Sequence, residues 1–185
     1  ALLRRVCDER SRQDSRGERL ERIVIETSGL ADPGPIVAAI RADPVLVHHI
    51  VVSEIVVAVD ALHGLAQLRG EPLGRRQAEI ADRLVVTKTD EMADAAALAR
   101  LVATLRRLNP GAEISAAVLG SEVPLPSGEG AEPEELPALE DEAGRPPIFP
   151  TGLSLGEGVD WAAFNVWLSA LLHARGDDVL RVKGV

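Results

Sequence analysis

Aromatic residues are scarce in this sequence, and tyrosine is absent. Only 2% of the 185 residues are aromatic, so a core has to be built from aliphatic side chains. The single cysteine, Cys7, excludes an internal disulfide and a cage of several thiolates around a metal. No apolar run is long enough to span a bilayer. These absences predict an aliphatic globular protein of the cytoplasm that has no membrane partner.

Positive charge is also in short supply, since the net charge is −9 at pH 7. Nucleic acids and anionic membranes attract proteins through basic faces. We therefore predict that nucleic acid is not a partner. A small anionic ligand held by backbone N–H groups remains compatible with this charge.

Four short apolar segments alternate with helical patterns. The predicted strands are 22–26, 50–60, Arg83–Thr87 and 113–117. Strands that are apolar throughout and separated by helices are typical of parallel sheets covered by helices. The sequence therefore predicts an α/β fold with a mostly parallel sheet and helices on both faces.

Composition divides the chain into three predicted parts, which are residues 1–118, 119–147 and 148–185. The middle part is acidic and rich in glycine and proline, and we interpret it as a mobile linker. The last part predicts a helix at 159–175 capped by Asp160, and a strand at 179–182. The predicted buried stripe of that helix consists of Trp161, Phe164, Trp167, Leu168 and Leu171.

The segment IVIETSGLADPGPI, residues 23–36, runs a predicted strand directly into an acid and a glycine. In doubly wound α/β folds, ligands bind beyond the carboxyl ends of the strands. Glu26 at such an end can hold Mg²⁺ through water, and Gly29 lets a backbone N–H approach a terminal phosphate. The alternative is a strand end followed by a cluster of Thr, Ser and Asp that caps the next helix.

The segment TKTD follows the predicted strand Arg83–Thr87. The Asp90 carboxylate can accept hydrogen bonds from N1–H and the 2-amino group of guanine, a donor pair that adenine lacks. The aliphatic stem of Lys88 can lie over the base, and Thr87 precedes it at the strand end. Ser115 falls where a further base-contacting loop would follow the next strand. The alternative is that Asp90 caps a helix.

These motifs resemble those of the CobW-type GTPases, which are kin of UreG and HypB. The similar stretches are IVIETSGLADPGPIV, VVAVDA, ADRLVVTKTD, LNPGAEI and, near the end, LRVKG. The resemblance implies a P-loop GTPase-like fold followed by the beginning of a small α+β domain. It also implies binding and slow hydrolysis of GTP with Mg²⁺, coupled to delivery of zinc or cobalt to a client protein. Glu26 and Gly29 would then serve the phosphate side, and Thr87, Lys88, Asp90 and Ser115 the base.

The sequence departs from that family at the phosphate site. It contains no G-x-x-x-x-G-K-[ST] motif, and its only lysines are Lys88 and Lys183. We therefore predict that this chain does not hydrolyse GTP, and we expect that an N-terminal part of the domain is missing. A missing strand leaves an open sheet edge, which predicts association into a homo-oligomer or aggregate.

Two other functions remain open at this point. One is a non-catalytic relative without a P-loop that works as a binding or scaffold module. The other is an unrelated α/β enzyme in which both motifs occur by coincidence, and it requires two coincidences in the right order.

Overall fold

The computed structural model describes residues 2–14, 20–139, 151, 153, 155–156, 158–175, 179 and 182. The chain divides into two compact units, Ala1–Thr151 and Gly152–Val185. The predicted motifs of the nucleotide site all lie in the first unit.

The first unit is built on a four-stranded sheet in the order β1-β2-β3-β4. The strands are β1 Val56–Asp60, β2 Arg83–Thr87, β3 Glu113–Val118 and β4 Ser121–Val123. β1, β2 and β3 pair in parallel, and β4 returns antiparallel to β3. This confirms the predicted α/β class with a mostly parallel sheet.

Three helices precede β1 in the described residues, and others connect β1 to β2 and β2 to β3 or follow β4. They are α1 Leu2–Asp14, α2 Pro33–Ala42, α3 Leu46–His49, α4 Gly64–Gly70, α5 Pro72–Ile80, α6 Ala95–Leu108 and α7 Trp161–Arg175. Glu71 separates α4 from α5, and a proline begins α5, as the first turn of a helix tolerates. None of the helices in the described ranges is both long and apolar enough to cross a bilayer.

The main core lies between the sheet and α6. Leu84 and Val86 of β2 and Leu101 and Leu105 of α6 are fully buried. Period-two alternation on β2 and the helical spacing on α6 place these side chains on facing surfaces. A second, smaller cluster joins α1, α2 and α3, and its buried members are Cys7, Ile40 and Leu46. Cys7 therefore acts as a small apolar core residue.

The predicted strand at 22–26 is wrong, because the structure has no strand there. The segment is exposed, with Val24 at 83% exposure. β1 is an end strand, and within the described part of the chain no strand pairs with its other edge. A β-branched run needs a neighbouring strand to bond its backbone, and this one has none. The predicted strand at 50–60 is likewise shortened to Val56–Asp60, the part that pairs with β2.

The segment predicted as a mobile linker has ordered contacts over its first half. It contains β4, and the Thr104 hydroxyl of α6 accepts a hydrogen bond of 2.8 Å from the backbone N–H of Glu134. Glu134 also forms ion pairs with Arg69 of α4 and Arg100 of α6. These contacts join the segment to α4 and α6, whereas 140–147 lie outside the described residues, and the mobility of the segment remains a prediction. The three domain boundaries remain predictions.

The second unit contains α7, whose first turn is capped as predicted. The Asp160 carboxylate accepts hydrogen bonds from the N–H groups of Ala162 and Ala163 at 2.9 and 3.2 Å. The predicted buried stripe is wrong, because Trp161 is 65% and Trp167 47% exposed. Phe164, Leu168 and Leu171 are partly buried. The strand predicted at 179–182 falls largely outside the described residues.

Candidate functional site at the carboxyl ends of the strands

The candidate site begins where β1 and β2 end side by side. The two strands are parallel, and their register pairs Asp60 with Thr87 at the last position of each. Backbone bonding continues past this point, since the N–H of Ala61 donates to the Thr87 carbonyl at 3.0 Å. The Thr87 hydroxyl also donates to the carbonyl of Val59 at 3.4 Å. Thr87 therefore joins the two strand ends, and Lys88 follows it directly beyond the carboxyl end of β2.

Lys88 leaves the strand in an unusual conformation. Its φ is +58°, in the left-handed region that non-glycine residues rarely adopt. Its Nζ lies 2.6 Å from Oδ2 of Asp60. The hydrogen bond to Asp60 and the attraction of that carboxylate raise the pKa of Lys88. Lys88 is therefore held as a cation against the end of β1.

Asp60 is a site residue that the sequence analysis did not select. Its Oδ1 accepts hydrogen bonds from the N–H groups of Leu62 and His63 at 2.8 and 3.2 Å. Partial burial raises the pKa of Asp60, but the bonds from Lys88 and from these two N–H groups more than offset it, so the pKa is lowered. The sequence feature that could have identified Asp60 was its position. VVAVD ends a strand at the same carboxyl end of the sheet at which TKTD follows its strand.

Asp90 lies in the turn that follows Lys88. The N–H of Glu91 donates to the Lys88 carbonyl at 3.1 Å and closes this turn. Asp90 is exposed, and no hydrogen bond or ion pair engages its carboxylate within the described residues. The capping alternative for Asp90 is wrong, because α6 begins at Ala95 and Asp94 accepts from the N–H groups of Ala96 and Ala97. The Asp90 carboxylate can therefore accept a pair of ligand donors.

Ser115 lies inside β3, opposite Val85 of β2. It stands two positions before the pair of Thr87 and Ala117, which is level with the end of β2. The structure therefore places Ser115 within the sheet and does not bring it to the turn that carries Lys88 and Asp90. Its role as a base contact remains a prediction.

The motif that carries Glu26 and Gly29 is held by hydrogen bonds at its C-terminal end, from Gly29 to Asp32. The side-chain amide of Gln77, on α5, donates to the carbonyls of Gly29 and Ala31 at 2.9 Å each. Asp32 then caps α2 by accepting from the N–H of Gly34 at 2.9 Å. The helix-capping interpretation of this motif therefore holds at Asp32, and it leaves the role of Glu26 open.

The space around Glu26 and Gly29 allows a ligand to approach. Glu26 is exposed, and a Cβ added at Gly29 would meet no atom within 4 Å. Across the described ranges, no three His, Cys, Asp or Glu residues are grouped to hold a metal. Mg²⁺ in nucleotide sites is bound by one or two carboxylates together with substrate phosphates. A single carboxylate from Glu26 fits that mode only when a phosphate supplies the remaining oxygens.

A mostly parallel α/β domain with charged turns beyond its strand ends is the class that binds ligands at that edge of the sheet. The family model described as "CobW/HypB/UreG, nucleotide-binding domain" matches residues 3–116. This match covers more than half of the chain, so the chain belongs to the CobW/HypB/UreG family of nucleotide-binding domains.

Sequence and structure comparisons both find similarity to a zinc-binding protein, YjiA of Escherichia coli. The zinc chaperone YjiA of Escherichia coli strain K12 is 33% identical over 92 residues, which are 50% of this chain and 29% of that protein. The crystal structure of zinc-bound YjiA GTPase from E. coli has a TM-score of 0.46 at 23% identity, covering 90% of this chain and 54% of that chain. A zinc-bound triple mutant of YjiA has a TM-score of 0.49 with the same identity and coverage. The chain thus spans about half of the crystallised relative.

Proposed function

We propose that this chain reads the guanine base of GTP at the turn that follows β2. The observation that carries this proposal is the exposed carboxylate of Asp90, which no described residue engages, in a turn at the carboxyl end of a parallel strand. It is supported by membership of a nucleotide-binding family. Asp90 accepts from N1–H and the 2-amino group of the base, and an adenine base offers no such pair. The stem of Lys88 covers the base plane, and Thr87 fixes the start of the turn.

The phosphate side of the proposed site is made by the segment around Gly29. Glu26 orients a hydrated Mg²⁺, which neutralises phosphate charge when it is bound, and the Gly29 backbone approaches the terminal phosphate. Ser115 is proposed as a further contact near the base. In this reaction class the protein contributes positioning and charge neutralisation, with little covalent chemistry.

The proposed role of the whole protein is delivery of zinc or cobalt to a client protein, coupled to GTP. Support comes from the family and from a relative named as a zinc chaperone. The second candidate is a binding or scaffold module without catalysis. It is favoured by the absence of a G-x-x-x-x-G-K-[ST] motif from the 185 residues.

Calorimetric titration with GTP and ATP in Mg²⁺ tests the base-reading site. We expect selective binding of GTP that falls about tenfold or more in Asp90→Ala, since hydrogen bonds to a charged group contribute about 1.5–3 kcal/mol. Glu91→Ala removes the neighbouring carboxylate and serves as the matched control with unchanged affinity. Equal binding of GTP and ATP, or equal loss in both variants, would contradict the proposal.

We expect no hydrolysis of GTP by these 185 residues, because they contain no motif to cradle the phosphates. Release of inorganic phosphate over hours at high protein concentration measures this. Glu26→Gln distinguishes a contaminating enzyme from real turnover. Release that persists unchanged in this variant comes from a contaminant, whereas release that falls with Glu26→Gln refutes the expectation.

A further inference from the structure

The turn that carries Asp90 begins at a residue in a disfavoured conformation. Lys88 adopts φ +58° without the freedom of glycine, so other contacts have to hold it there. The side chain of Lys88 is held by Asp60, whose Oδ2 lies 2.6 Å from Nζ. The backbone carbonyl of Lys88 in turn accepts the bond from Glu91 that closes the turn. The conformation of Lys88 and the position of Asp90 are therefore linked.

The side chain of Asp60 is held in one position, because both of its carboxylate oxygens have partners. One carboxylate oxygen accepts from the backbone N–H groups of Leu62 and His63, and the other faces Lys88. Asp60 is itself the last residue of β1, and β1 is registered against β2 along its whole length. Both ends of the contact between Asp60 and Lys88 are thus attached to neighbouring strands. A surface ion pair between two flexible side chains has no such constraint.

We propose that Asp60 is a positioning residue for the base-reading turn, holding Lys88 so that Asp90 faces the base of the nucleotide. This inference rests on the proposed function for the identity of the ligand. Asp60 acts through Lys88 and does not touch the base. Removing it leaves the donors and acceptors of the turn in place but lets the turn sample other conformations, so base selectivity is lost without loss of the fold.

The first test uses the ligand-free protein and does not depend on nucleotide binding. Amide hydrogen exchange of Glu91 reports on the closed turn, and slow exchange of the Nζ protons of Lys88 reports on its ion pair. The sequence has only two lysines, Lys88 and Lys183, so their side-chain NMR signals are readily told apart. Asp60→Asn keeps an oxygen acceptor for the two N–H groups and removes the charge that holds Lys88.

Glu54→Gln is the matched control, because it removes the negative charge that lies 2.8 Å from Arg83 at the opposite end of the same two strands. We expect Asp60→Asn to speed exchange of the Glu91 amide about tenfold and to release Lys88 Nζ, while Glu54→Gln changes neither. Exchange of the core amides of β2 should match wild type in both variants. Unchanged exchange at Glu91 in Asp60→Asn would overturn the proposal.

The second test measures GTP against ATP binding for the same variants, by calorimetry or by NMR titration. We expect Asp60→Asn to lose most of the preference for GTP, and Glu54→Gln to retain it. A full preference for GTP in Asp60→Asn, with the turn loosened, would overturn the positioning role. If the wild-type protein binds no guanine nucleotide, the proposed function fails, and the exchange data alone decide whether Asp60 holds the turn.

Discussion

The buried side-chain amide of Asn109 holds the end of α5 in place. It is 3% exposed and follows α6, and its side-chain nitrogen donates to the carbonyls of Ala78, Glu79 and Ala81 at 2.9 to 3.0 Å. Those carbonyls lie in the last turn of α5 and at Ala81, the residue after it, where backbone acceptors lack helical partners. Asn109 is thus the C-cap residue of α6, and its side chain caps the end of α5. These bonds fix the position of α5 against α6. The side chain of Gln77 on α5 in turn holds the Gly29 turn.

Asn109→Ala is expected to lower the free energy of unfolding by about 2–3 kcal/mol, because it leaves buried carbonyls without a donor. Urea unfolding measures the change. Asn109→Asp keeps the shape but turns an acceptor toward these carbonyls, so it should destabilise at least as much. Asn165→Ala, on the exposed surface of α7, is the control and should change little. A small effect in both Asn109 variants would show that the cap is dispensable.

The segment 124–139 behaves as an element of the fold although it has no regular secondary structure. Gly128, with φ +69°, lies so close to α6 that an added Cβ would be 3.1 Å from the backbone nitrogen of Ala103 and 3.2 Å from the carbonyl oxygen of Ala99. Together with the bond from Glu134 to Thr104, this close approach attaches the segment to the back of the core helix. Composition alone had predicted mobility, because glycine and proline mark turns as well as linkers.

Gly128→Ala and Gly130→Ala form a matched pair that tests this contact. Both glycines have positive φ, at +69° and +79°, so each substitution costs about 1–2 kcal/mol in backbone strain. Only Gly128 faces the helix, since a Cβ at Gly130 meets nothing within 4 Å. We expect Gly128→Ala to cost a further 1–3 kcal/mol or so from overpacking. Proteolysis within 124–139 should rise in Gly128→Ala alone, and equal effects in the two variants would refute the close approach.

At the scale of the whole molecule, the outer edge of β1 is the surface that favours association between chains. β1 ends the sheet, no strand in the described residues pairs with its outer edge, and Val56 is 53% exposed. The apolar segment around Val24, at 83% exposure, pairs with no strand of the described residues either. Open edges with apolar side chains promote association between chains. The homo-oligomer predicted from the sequence remains a proposal, and this edge is where it would form.

Val56→Lys is expected to reduce self-association, because a lysine on an edge strand opposes pairing with another chain. Sedimentation velocity over a range of protein concentrations measures it. Val166→Lys, at an exposed position on α7, is the control with the same change of charge. If Val166→Lys alone abolishes association, then α7 and not the sheet edge forms the contact. If neither variant changes it, the edge proposal is wrong.

The sequence by itself determined the elements whose signals are local. β2 coincides with RLVVT, α6 ends at Leu108 directly before the turn-forming residues Asn109, Pro110 and Gly111, and the TKTD turn follows a strand end. The place of Lys88 and Asp90 in a turn beyond a strand end was therefore predicted without the structure, and their role in reading a base remains a proposal. Alternation, helical spacing and turn residues act over a few positions, which is why they can be read from one segment at a time.

Tertiary structure alone decided the features that need a distant partner. Residues 22–26 have the composition of a strand, yet they form none, because a strand requires a neighbour to satisfy its backbone. The contact of Asp60 with Lys88 joins residues 28 positions apart and exists only because β1 and β2 lie parallel in register. Local sequence sets what a segment can form, and the pairing of distant segments settles which of those possibilities is realised.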